Sequence, residues 1–241
     1  MPVGKSGLKD ATYFVTKRLG RAAFDGGMLA HDQRVVVAVS GGSMSTGLLY
    51  GLVVRNKRLP IRNTFLPVYV PDGAHGPDEQ VMGTLQALCR DLKLELHVTV
   101  PSPSDTGRFG LVPHVDLLLD ACRDLCAPVL ALAHTAEDCA LELLASMGMS
   151  GEVWRLPPVE TLGAGTVAVK VIRPLWLLTQ PQVQQMNLGE GLSSADRVLK
   201  GPNQRYRDAC MEFLLAKRVD LVEQLRNITL SPENVSWDYL V

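Results

Sequence analysis

"RVVVAVSGGSMSTGLLYGLVV", residues 34–54, decides how the chain is read. Its first six residues are apolar after Arg34, which is the pattern of a strand covered on both faces. The run stops at Ser40-Gly41-Gly42 and resumes with helix-like spacing. Two glycines and three serines, with no charge, fill the junction at 40–45. Glycine lets backbone take positive φ and come close to a ligand. The first amides of a helix lack intrahelical partners and form an anion site without any cationic side chain. Such a cradle would use Ser40, Gly41, Gly42, Ser43 and Ser45. The plainer reading is a strand-to-helix turn with Ser45 or Thr46 as N-cap. The turn alone leaves both open.

Working outward, strand-length apolar runs recur at 64–70, 94–100, 128–133 and 165–175. Helical patterns lie between them at 45–57, 78–92, 113–126 and 136–149, and an amphipathic helix over 7–29 precedes the first strand. Strands alternating with helices imply a parallel sheet covered on both faces. The expected fold is therefore α/β, a doubly wound parallel sheet, with a helical C-terminal appendage beyond about residue 180. Ligands of such sheets bind at the carboxyl ends of the strands where strand order reverses. Val70 ends the second run and His134 follows the fourth, so both belong to that edge.

The chain has 241 residues, with 24 Lys and Arg against 25 Asp and Glu. A net charge of −1 excludes a polyanion-binding field over the whole molecule, so nucleic-acid contacts require a local basic patch. Residues 1–24 carry Lys5, Lys9, Lys17, Arg18 and Arg21 against Asp10 alone. Residues 197–218 carry Arg197, Lys200, Arg205, Arg207, Lys217 and Arg218 against Asp208 and Glu212. Both suit phosphate contacts, and both are equally readable as solvated helix faces. No signal-peptide core or membrane-length apolar run is seen. The five cysteines, at 89, 122, 126, 139 and 210, form no dense framework, so reduced thiols in a cytoplasm are expected. Cys122 and Cys126, at i and i+4, would share one helix face. Two thiols do not complete a metal site, so core packing is the expectation for them.

"VAVSGGSMSTGLL" resembles the S-G-G-x-D-S signature of the PP-loop ATP pyrophosphatases. Further along, "ALAHTAED" at 131–138, "MGMSGEVWRLPP" at 147–158, "VIRPL" at 171–175 and "GPNQRYRDACMEFL" at 201–214 resemble, in order, motifs of the tRNA 2-thiocytidine synthetase branch. The resemblance implies a basic N-terminal helix over 1–30, a nucleotide-binding domain over 31–180 and a helical appendage over 181–241. It implies ATP or AMP at the turn, magnesium alongside it, and tRNA as a partner, with a protein partner or an oligomer as further possibilities. It makes His134 a neighbour of the nucleotide, against a plainer role capping the next helix. Asp138 matches the family's second aspartate, and Glu137 and Asp138 are equally suited to the positive end of that helix.

The departures limit the chemistry. The lysine and aspartate of the usual S-G-G-K-D-S are here Ser43 and Met44. Methionine carries no charge for phosphate or metal. The branch also has two C-x-x-C pairs taken to hold an iron–sulfur cluster; Gly107 and Gly110 stand at the first, and no cysteine precedes Gly201 at the second. No iron–sulfur cluster and no metal ligands are therefore expected. The leading expectation is a divergent nucleotide-binding protein of the tRNA-thiolation lineage, at most with an adenylating, sulfurtransferase-like activity carried by Asp138. The alternatives are a catalytically silent scaffold or interaction subunit, and a thiolase that takes sulfur from an external donor.

Overall fold

A computed structural model describes residues 5–25, 27–60, 62–71, 77–99, 115–149, 156–163, 168–195 and 208–213. The chain begins with helix α1, Lys5–Gly20, which runs into one π-helical turn, Arg21–Asp25. Strand β1 (Arg34–Ala38) leads to α2 (Ser43–Asn56), and β2 (Thr64–Tyr69) to α3 (Glu79–Leu92). The short β3 (His97–Val98) precedes α4 (Val115–Asp124). Then β4 (Val129–Ala131) leads to α5 (Ala136–Met149). The hairpin of β5 (Val159–Leu162) and β6 (Val169–Ile172) is followed by α6 (Gln180–Glu190).

The six strands form one sheet in the order β3-β2-β1-β4-β6-β5, parallel except for β5, which runs antiparallel to β6 at the edge. The expected α/β sheet is present. Alternate residues of β1 serve opposite faces, as a doubly covered sheet requires. Val35, Val37 and Val39 join the core that also includes α1, α2, α3 and α6 residues. Val36 joins Val68, Leu118, Leu130 and Val171 in a second core beneath α4.

Two expectations change here. The strand expected in 165–175 is present but shorter, as β6, and "VETL" at 159–162, where no strand was expected, pairs back on it as a hairpin arm. α2 starts at Ser43 with Gly42 as its N-cap residue, two residues before the start expected, so neither Ser45 nor Thr46 is the cap. Among the described residues no helix is long and apolar enough to cross a membrane.

Candidate functional site

Strand order reverses between β1 and β4: β2 and β3 lie to one side, β6 and β5 to the other. Val37 pairs with Ala131, so Ser40 and His134 each leave the sheet three residues beyond a matched pair. Val70 leaves β2 on the same edge, two residues past Val68, and packs with the core beneath α4. The switch point thus gathers the turn 40–45, Val70 and the segment His134–Asp138.

The turn is held from within. Ser45 Oγ donates to the Gly42 carbonyl at 3.0 Å and accepts from the Ser40 amide at 3.1 Å. The two hydroxyls lie 3.1 Å apart, so with its proton spent Ser45 takes that of Ser40. Gly41 sits at φ +80°, and a Cβ there would come within 2.7 Å of Val81 Cγ1. Glycine is required on both counts. The Gly41 carbonyl accepts from the Ala195 amide at 2.8 Å. Gly42 provides no side-chain cap to α2. Ser43 and Ser45 are buried and Ser40 is exposed. Met44, at the position of the family's aspartate, packs against the apolar core.

Across the crevice the helix starts are already satisfied. The Asp138 carboxylate accepts from the Thr135 amide and from its hydroxyl, both at 2.8 Å, and from Gln180 Nε2 at 3.3 Å. The Asp138 amide points back to Thr135 Oγ1 at 3.4 Å, so Thr135, not His134, begins α5 in a capping-box arrangement. Both Glu137 carboxylate oxygens accept from the Gln180 amide, at 3.0 and 3.2 Å, which neutralises the start of α6. Burial raises the pKa of Glu137 and of Asp138, opposed in each by these hydrogen bonds. His134 is pushed down to about 3, by burial first and then by the positive charge of Arg173. It faces the site as a neutral imidazole, its Nδ1 shielded and without a partner.

Three residues with structural weight here had been given no role. Arg173 of "VIRPL" is 1% exposed; it donates to the Pro157 carbonyl at 2.6 Å and pairs with Glu160. One buried guanidinium therefore joins the "RPL" and "LPP" motifs, a link invisible while they are read as separate words. Asn187, buried on α6, donates from Nδ2 to the Ser43 carbonyl at 2.7 Å and ties α6 to the first turn of α2. Gln180 bridges α6 to α5. No local pattern marks either residue, since their partners lie 144 and 42 residues away.

The cysteines do not gather. Burial raises the thiol pKa of Cys89 to about 11 and of Cys122 and Cys139 to about 12, which keeps them protonated. Cys126 corrects the shared-face expectation: α4 ends at Asp124, and Cys126 turns at φ +48° into solvent. Gly107, Gly110 and the segment before Gly201 lie outside the described residues. A cavity of about 360 Å³, lined by Met82, Gln86, Leu94 and Val98 among others, sits at the β3 edge and includes no residue of the switch point.

No protein-family model matches the chain. It is 26% identical over 187 residues to the tRNA-cytidine(32) 2-sulfurtransferase of Alkalilimnicola ehrlichii, covering 74% of this chain and 59% of that protein. The same-named protein of Sorangium cellulosum is 27% identical over 169 residues, 67% of this chain and 59% of the relative. The chain thus spans about three fifths of the length of these relatives. Among solved structures, the U34-tRNA thiolase NcsA of Methanococcus maripaludis shares the fold with a TM-score of 0.75 at 15% identity, over 92% of this chain and 79% of that one. The chain is thus similar in sequence to tRNA 2-sulfurtransferases and in fold to a tRNA thiolase, and its glycine turn lies at the switch point, where the PP-loop resemblance puts it. Its sequence relatives are of the tRNA-thiolation branch, the branch its own motifs resemble.

One expectation is overturned by this comparison. The thiolase that shares the fold carries a [4Fe–4S] cluster, so the exclusion of an iron–sulfur cluster does not stand. Cluster ligands are assembled by the fold, and empty motif positions along the sequence do not decide the matter. Among the described residues no group of three or more His, Cys, Asp or Glu could hold a metal ion, so these residues by themselves do not fit a cluster.

Proposed function

We propose that the chain binds ATP or AMP at the Ser40-Gly41-Gly42 turn and takes part in tRNA modification in the cytoplasm. The contrast among helix starts carries this reading. α3 is capped by Asp78, α5 by Thr135 with Asp138, and α6 is met by Glu137. α2 starts at a glycine with no side-chain cap, at the edge where strand order reverses. The amides of its first turn would hold phosphate, and the exposed Ser40 hydroxyl would join them only by turning its proton from Ser45 to the ligand. Neutral His134 would sit beside the nucleotide as a hydrogen-bonding group, not a cation. The similarity to tRNA-cytidine(32) 2-sulfurtransferases supports tRNA as the partner.

Met44 favours a second reading, a catalytically silent scaffold or interaction subunit. Pyrophosphate release needs charge on the leaving phosphates to be stabilised by a metal or cation. The partly buried Met44 side chain packs against the apolar core and carries no charge to supply there. Losing one preorganised electrostatic donor costs roughly 10²–10³ in rate.

Calorimetric titration with ATP and AMP, with and without magnesium, tests the proposal. A cradle of backbone donors without a cation should bind at roughly −4 to −8 kcal/mol, micromolar to millimolar. Gly42→Asp should abolish the heat by placing a carboxylate among those donors. Absence of heat at millimolar nucleotide supports the scaffold. ATP-dependent pyrophosphate release above background with bulk tRNA would instead establish an enzyme, and Asp138 would be the first residue to mutate.

A further inference from the structure

The face of α1 turned away from the core has an unusual composition. Val15, Thr16, Leu19, Ala22 and Ala23 are buried, and α1 packs against α2 and α6. The other face carries Asp10, Tyr13, Phe14, Lys17 and Arg18, with Arg21 next in the π-helical turn, all exposed. Their spacing of three and four residues makes one continuous stripe along the helix. Tyr13 is 60% exposed and Phe14 39%, two of the few large apolar side chains that the described surface leaves open.

Each ring is paired with a cation one turn on. Lys17 Nζ lies 5.4 Å from the Tyr13 ring centre, and the Arg18 guanidinium 4.8 Å from that of Phe14. Cation–π contacts of this kind contribute little at an exposed site, so they do not account for two rings held in water. The stripe also reaches the rim of the candidate site. Arg18 Nη1 donates to the Leu177 carbonyl at 3.3 Å, and the next carbonyl, Leu178, accepts the Ala136 amide that opens α5.

We infer that this stripe is a stacking platform for unpaired bases of RNA, with Lys17 and Arg21 on the phosphates. The inference rests on the tRNA partner proposed above and adds the surface and the kind of contact. Aromatic rings accept any base by its π-face, and guanidinium planes extend the stack. Cations one turn on from the rings put phosphate contacts beside the stacked bases of a single strand. A duplex presents neither open bases nor that spacing. An acidic polypeptide would satisfy the cations but leave the rings uncovered, so unpaired RNA is the occupant that matches both.

The test is fluorescence anisotropy of the full chain with a labelled single-stranded RNA and the matching duplex, across a salt series. Tyr13→Ala with Phe14→Ala should weaken single-strand binding about tenfold or more and leave duplex binding nearly unchanged. Tyr13→Trp with Phe14→Trp should retain single-strand binding, which a folding defect or loss of charge would not explain. Lys17→Ala should lower the salt slope by about 0.7 for the single strand. Parent-like binding by the double alanine variant overturns the platform, as does an acidic polypeptide that binds the parent better than RNA does. Absence of RNA binding by the parent overturns the platform and the tRNA role together. ATP titration of the double alanine variant should match the parent, which keeps the platform separable from the nucleotide site.

Discussion

The start of α2 and the starts of α5 and α6 face the same crevice and are built in opposite ways. At α5 and α6 the chain brings its own carboxylates, Asp138 and Glu137, onto the open amides. At α2 it brings a glycine, and the nearby hydroxyl of Ser45 is turned inward to close the loop. The positive end of a helix is worth roughly 0.3–2 kcal/mol to whatever anion meets it. Two of these helices spend that term on internal stability, whereas the N-cap residue of α2 makes no side-chain bond to its helix. The carboxylates near His134 thus serve helix starts, and the uncharged turn is the start we propose for the ligand.

The largest effect is expected where buried charge supports the occupied side. Glu160→Ala leaves the buried Arg173 guanidinium without its carboxylate and should destabilise the protein by about 3–5 kcal/mol in denaturant unfolding. Arg173→Met with Glu160→Met should recover most of that loss, because the unpaired charge goes with it. A double variant as unstable as the single one would show that the arginine acts through its bond to Pro157 rather than through charge.

Next comes a pH effect set by His134. Its folded pKa is about 3 against 6.5 for the free side chain, so between those values only the unfolded chain takes up the proton. Stability from this group is whole above pH 6.5 and is lost progressively as pH falls, by about 2 kcal/mol at pH 5. Glu137 and Asp138 have raised folded pKa values, so acidification favours their folded form and opposes the loss. Unfolding of the parent and of His134→Gln at pH 7 and pH 5 isolates the histidine. Equal pH dependence in the two would place His134 in water and break the account of the crevice.

These residues also mark how far the sequence could be read. The strand–turn–helix at 34–54 was legible because continuous valines and a glycine pair are local signals. The position of the turn followed from sheet topology alone. The β5 arm was not legible: "VETL" has two charged or polar residues in four, and it becomes a strand only by pairing with β6. Ser40–Ser45, His134 and Asp138 lie at one edge of the sheet, where strand order reverses. Asn187 and Arg173 were not readable as participants: each bonds a carbonyl oxygen that any residue could supply, and the carboxylate that pairs with Arg173 lies on the β5 arm, itself not legible.

A smaller change tests whether α5 is closed by its own side chains. Thr135→Ala removes a hydroxyl that serves both the Asp138 carboxylate and the Asp138 amide, and should lower stability by about 1 kcal/mol. Nucleotide affinity should hold, because the start of α2 is untouched. A matching loss of ATP binding would mean that the two sides of the crevice are one unit.

The smallest stability change is the one that most directly converts one kind of helix start into the other. Gly42 lies at φ −72° and ψ 161°, extended backbone that any residue adopts, so its glycine is not required by conformation. A side chain at this N-cap position is free to bond the amides of the first turn, as Asp78 does for α3. Asp at an N-cap exceeds Gly by a few tenths of a kcal/mol, and the helix end adds roughly 0.3–1. Gly42→Asp should therefore leave the fold as stable as the parent or slightly more so, by up to about 1 kcal/mol in denaturant unfolding. The same variant should lose nucleotide binding, because its carboxylate occupies the donors a phosphate would use. A gain in stability together with a loss of binding is a combination that damage to the fold cannot produce. If Gly42→Asp binds ATP as the parent does, the phosphates lie elsewhere, and the open start of α2 is only an uncapped helix.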